Sequence, residues 1–138
     1  MSLLLQRLSR DFMREIGEKS RSVYELLLPP VDMFEDGSDL VIMLDMPGFD
    51  KDKIRTRLSG ENTLVVTAKR DPTEHDGPTY WEQRPLSIRK RIPLPVKVEY
   101  EEEGEEGKGG NSTASAKYEN GVLTVRLPIK GVGKIKVQ

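Results

Sequence analysis

The chain has 138 residues, 36% of them apolar and 33% charged, and its 22 basic and 23 acidic residues leave a formal net charge of −1. That length supports one domain with a core of its own, and the charge balance argues against general nucleic-acid binding, which needs a basic excess. Cysteine is absent, which excludes disulfide scaffolds, thiolate zinc sites and cysteine nucleophiles.

The first residues, "MSLLLQRL", hold three consecutive leucines with no basic residue before them and no small-residue cleavage site after them, so no secretory signal is read there. No stretch reaches the ~20 apolar residues of a membrane span. A cytoplasmic location without integral-membrane contact is therefore expected. High charge of both signs without cysteine also suits a thermophile. Over residues 3–16, Leu4, Leu5, Leu8, Phe12 and Ile16 recur at helical spacing, with Arg7, Arg10, Arg14 and Glu15 elsewhere on the wheel. The pattern predicts an amphipathic helix that ends where "GEKSRS" breaks it. So short a helix must lie against something: its own domain, or, as a sticky arm, another subunit or a client protein.

From Pro29 the period changes to two. Val31 and Met33 alternate behind two prolines, which fit a strand start or an edge. "SDLVIMLDMPG" reads as a buried strand, with Leu40, Ile42 and Leu44 on one face and Val41 and Met43 on the other, stopped by Pro47-Gly48. Two strands follow. Ile54, Thr56 and Leu58 share a face, Gly60-Glu61-Asn62 turns the chain, and Leu64, Val66 and Ala68 resume. Residues 71–87 form a long polar connection carrying Tyr80 and the only tryptophan, Trp81. Aromatic side chains prefer burial, which a short strand lent to another chain would provide.

"IRKRIPLP" returns to strand character. The run over 101–113, rich in glutamate and glycine, predicts a disordered insertion. "ASAKYENGVLTVRLPI" carries a hairpin signal: Asn120-Gly121 is a preferred type I′ pair, with Ala114, Ala116 and Tyr118 before it and Leu123, Val125 and Leu127 after it. Several short strands with turns at this spacing predict an all-β sandwich. Behind a Gly131-Val132-Gly133 hinge the tail ends in Ile135-Lys136-Val137, two β-branched residues flanking a lysine.

Ala116 through Leu123, with Asn120, Gly121 and Val122 between them, resembles the A-x-x-x-N-G-V-L signature of the α-crystallin/small heat shock protein family. "DMPGFDKDKI" resembles the family's strand–PG–turn–strand segment, "RIPLP" the Leu-Pro that closes a later strand, and Ile135-Lys136-Val137 its terminal I/V-x-I/V motif. The resemblance runs from about Pro30 to the C-terminus and is archaeal-like in kind. It implies an immunoglobulin-like α-crystallin sandwich over 29–130, preceded by a helical arm over 1–28 and followed by an extended tail over 131–138. It further implies that the tail docks as an added strand on a neighbouring subunit, Ile135 and Val137 inward and Lys136 to solvent. The segment around Tyr80, Trp81 and Glu82 would cross to the partner's first strand in a domain-swapped dimer. Where family members commonly have an interface arginine stands Lys90, between Arg89 and Arg91; lysine lacks the bidentate fork.

The resemblance implies an ATP-independent holdase chaperone. It would work as a dynamic homo-oligomer of dimers, capturing partly unfolded clients on Leu4, Leu5, Leu8, Phe12, Met13 and Ile16 of the arm. A non-oligomerising adaptor with the same sandwich is the alternative. Neither reading calls for a cofactor, metal or catalytic residue. His75 is the only histidine, which gives no catalytic triad. "GEEGKGGNS" has the wrong spacing for a phosphate loop and lies among glutamates.

Overall fold

A computed structural model describes residues 3–60, 62–99 and 114–131. Helix α1 spans Leu3–Leu27, and seven strands follow: β1 Val31–Asp36, β2 Asp39–Asp45, β3 Ile54–Ser59, β4 Thr63–Lys69, β5 Ser87–Pro93, β6 Ser115–Glu119 and β7 Val122–Pro128. They form two antiparallel sheets, ordered β1-β2-β7-β6 and β3-β4-β5. This is the predicted sandwich, and every strand predicted from the alternation is present.

The core follows from that alternation. Leu40, Ile42 and Leu44 of β2 lie in register with Leu127, Val125 and Leu123 of β7. Leu64, Val66 and Ala68 of β4 form the facing layer with Ile88 and Ile92 of β5, and all of these side chains are buried in one cluster with Met46, Phe49 and Leu94. Val65 points out of the opposite face of β4 and is buried as well. It is paired between Arg57 and Arg91, whose aliphatic stems can shield a small apolar side chain.

The two turns carrying the family-like motifs meet in space. Asn120 and Gly121 have φ of 53° and 77°, as a type I′ hairpin requires, and the Met46 amide donates to the Gly121 carbonyl at 2.7 Å. A Cβ on Gly121 would stand 3.1 Å from Pro47 Cα. Tyr118 closes the same corner, its hydroxyl donating to the Met46 carbonyl at 2.6 Å.

One boundary differs from the sequence reading. The helix does not end at "GEKSRS" but runs unbroken to Leu27. Glycine in a helix interior costs about 1 kcal/mol relative to alanine, which is why the pattern suggested a break. Tertiary contact overrides that cost: a Cβ on Gly17 would stand 2.9 Å from the Glu82 backbone nitrogen, so the helix seats on the loop because residue 17 has no side chain. Ser20 and Ser22 donate their hydroxyls back to the carbonyls of Ile16 and Glu18, satisfying themselves inside the helix.

Two expectations follow. Gly121→Ala should cost about 1–3 kcal/mol of unfolding free energy. It should cost clearly more than Gly37→Ala, because both have positive φ but only Gly121 has a neighbour within 4 Å; paired urea titrations compare them. Gly17→Ala should keep its helix content by circular dichroism while amide exchange around residues 13–21 accelerates, since the docking and not the helix is what it disturbs. Unchanged exchange would contradict that account.

Candidate assembly and client-binding surfaces

Helix α1 meets its own domain through a polar side. The Arg10 guanidinium lies 5.4 Å from the Tyr80 ring centroid, Gly17 abuts the Glu82 backbone, and Arg21 pairs with Glu82 at 3.6 Å. At the helix end, Lys90 Nζ donates to the Leu27 carbonyl at 3.4 Å, a favourable place for a cation. Arg10, Gly17 and Arg21 are spaced seven and four apart and so share one face. The apolar stripe lies elsewhere. Phe12 is 64% exposed, Leu8 57%, Val23 55% and Leu27 63%, with Met13 partly exposed and Ile16 half-buried. Of the two predicted roles for the helix, packing on its own domain thus uses the polar side and leaves the apolar side open. The side chains of Leu4 and Leu5 lie outside the description. Val23 and Leu27 extend the stripe beyond the predicted helix, though within the predicted arm; their four-residue spacing was visible in the sequence, but the expected stop at Gly17 hid it.

Around Tyr80 and Trp81 the chain has no strand of its own. Both rings stay about half exposed, and the Trp81 indole N–H donates to Gln83 at 3.1 Å. Burial on the chain's own sandwich, the other possibility for this tryptophan, is not what the structure shows.

Register separates the three basic residues of β5. Arg91 opposes Val65 and Arg89 opposes Thr67, whereas Lys90 opposes core residue Val66. Lys90 therefore leaves the inner face at the sheet edge to reach α1, and Arg89 and Arg91 stand together on the outer face.

Strands β3 and β6 are edges of different sheets. Their inward positions, given by pairing with core residues, are Ile54, Thr56 and Leu58 on β3 and Ala116 and Tyr118 on β6. None of them is fully buried, and Ala116, opposite buried Val125, is exposed. The signature hairpin Ala116, Asn120, Gly121, Val122 and Leu123 thus forms one of these edges and the corner beside it. The tail residues Ile135, Lys136 and Val137 and the insertion 101–113 lie outside the described residues.

The sandwich topology and these motifs agree with sequence comparison: the Hsp20/alpha crystallin family profile matches residues 32–138. The chain belongs to the Hsp20/alpha crystallin family. This small heat shock protein is 30% identical to a 17.7 kDa class II heat shock protein of Arabidopsis thaliana over 87% of its own length and 68% of the relative's. It is 32% identical to a 16.9 kDa class I heat shock protein of Triticum aestivum over 78% and 66%, respectively. It spans about two thirds of the length of these plant relatives. Among solved structures, a point mutant of hsp14.1 from Sulfolobus solfatataricus P2 superposes with a TM-score of 0.70 at 41% identity, over 99% of both chains. The Del-C4 mutant of the same protein gives 0.68 at 47% identity, over 80% of this chain and 83% of that one. Family membership supports a chaperone role and a protein that is not an enzyme. No helix among the described residues is long and apolar enough to cross a membrane.

Removing the Tyr118 hydroxyl with Tyr118→Phe should destabilise the sandwich by about 1 kcal/mol, the worth of one hydrogen bond. Denaturant unfolding reads the loss directly, and a variant as stable as the parent would show that the Met46 carbonyl finds another donor.

Proposed function

We propose that this small heat shock protein is an ATP-independent holdase. It captures partly unfolded chains before they aggregate and works as a dynamic homo-oligomer built from dimers in the cytoplasm. The observation that carries this reading is the orientation of α1, seated by its polar side with Leu8, Phe12, Val23 and Leu27 open to solvent. Such a surface needs no catalytic group. Leucine, methionine and phenylalanine on one helix suit contact with many different apolar sequences.

Assembly follows the open edges. Ile135 and Val137 would fill the uncovered inner positions of β3 and β6 on a neighbouring subunit, adding backbone hydrogen bonds to the edge. Each buried aliphatic side chain contributes roughly 1.5–3 kcal/mol, and ordering a glycine-flanked tail cancels much of it. Single docking events are then weak. Several tails closing one assembly raise the effective concentration and make it stable yet exchangeable. The Tyr80–Glu82 segment supplies the swapped dimer contact with the edge of β1 on another subunit, and Arg89, Lys90 and Arg91 supply basic groups to the dimer interface. Heat shifts the population toward smaller species with the arm exposed.

Light scattering of a heat-aggregating client without ATP tests the activity. Near-stoichiometric protein should suppress scattering and co-elute with the client. The pair Phe12→Ser and Val23→Ser should weaken suppression several-fold while leaving sandwich unfolding within about 0.5 kcal/mol, as exposed positions do. Scattering unchanged at every ratio would favour the adaptor reading. For assembly, a chain ending at Lys134 should run at dimer size by native mass; an undiminished large oligomer would remove the tail from the account.

A further inference from the structure

Arg70 and Arg84 converge on the turn between β2 and β3. A Cβ on Gly48 would stand 3.2 Å from Arg70 Nη1 and 3.4 Å from Arg84 Nη2, so both guanidinium forks end at one small space. Gly48 has a φ of 85°, a conformation that favours glycine, and its missing side chain keeps that space open. The Arg70 guanidinium lies 5.5 Å from the centroid of Phe49, a ring contact that fixes the plane of the fork.

The pair is electrostatically uncompensated. Among the described residues, no carboxylate forms an ion pair with either arginine. Of the carboxylates near them in sequence, Asp71 pairs with Lys53 at 3.2 Å and Glu82 with Arg21. Arg70 Nε is buried with no hydrogen-bond partner. Burial first, and then the neighbouring Arg84 charge, lowers the Arg70 pKa from its ordinary value. Like charges held together and a buried donor left unpaired both cost free energy, and such groups in native structures call for a partner.

We propose that Arg70, Arg84 and the Gly48 turn form a binding site for a single oxyanion, a carboxylate or a phosphate. Two guanidinium forks present planar, charge-assisted donors that match the oxygens of either group. The anion would neutralise the repulsion between the arginines and approach the backbone where Gly48 has no Cβ. The ligand has two sources: a free phosphate-type anion, or a carboxylate side chain of a second subunit. Arg84 lies in the connection assigned above to the dimer contact, which makes the second source geometrically available.

Calorimetric titration of the full-length protein with inorganic phosphate, at fixed ionic strength in chloride, tests the site alongside native mass measurement. The variant is Arg84→Gln, at an exposed position. The control is Arg57→Gln, which removes an exposed arginine from the outer face of β3. Saturable binding of one phosphate per subunit, weakened at least about tenfold in Arg84→Gln and unchanged in Arg57→Gln, establishes the site with a free ligand. If the parent binds no phosphate but Arg84→Gln alone lowers the native mass, the site is filled by a second subunit's carboxylate. Equal effects of the two substitutions, or no binding and no change of mass, overturn the proposal. Client scattering is read separately, so the site and the holdase reading fail independently.

Discussion

An unpaired strand edge is a row of backbone donors and acceptors without partners, and globular proteins manage such edges by covering, charging or pairing them. A sandwich of four plus three strands has four of them, and among the described residues one is covered: α1 lies against β5, with Lys90 bridging from that edge strand to the helix end. Among the described residues, β1, β3 and β6 have no strand beyond them. On β3 and β6 the inward positions also remain open, so hydrogen-bonding and apolar valences are left unsatisfied together. Ala116 is exposed and Leu58 only partly buried although both lie at inward positions, and these are the positions that the proposed assembly would cover.

The helix expresses the same economy. An amphipathic helix ordinarily buries its apolar stripe on its own core. Here the sandwich core is complete without it, because β2, β4, β5 and β7 supply the buried cluster with the two loops beyond them. What remains for the helix is the polar connection around residue 82, and it docks there through Arg10, Gly17 and Arg21. An arginine–aromatic contact, an ion pair at 3.6 Å, a close backbone approach and, at the helix end, the Lys90–Leu27 hydrogen bond hold it there, and the ion pair, being partly exposed, contributes little of this.

The corner where the Pro47–Gly48 and Asn120–Gly121 turns touch ties these features together. The Met46 amide and carbonyl are both taken, by Gly121 and Tyr118 respectively, which anchors the end of β2 to the β6–β7 hairpin. With that corner fixed, Phe49 reaches back into the core and the Gly48 backbone is presented outward to Arg70 and Arg84. The glycine of each turn has a distinct reason: Gly121 must pass Pro47, and Gly48 leaves room between two cations.

Periodicity alone determined the strands, their inward faces and the hairpin, because side-chain direction alternates with a period of two and Asn-Gly accepts the positive φ of a tight turn. The signature motifs likewise determined the family. Sequence also announced an amphipathic helix, but misplaced its end, since the penalty of Gly17 is local and the backbone of Glu82 that makes it useful lies 65 residues away. Only the tertiary structure decided which side of that helix is free, that Lys90 reaches the carbonyl at the helix end, and that two arginines 14 residues apart share one unpartnered space. These depend on register and on which segments are neighbours across the sandwich, and a linear pattern carries neither.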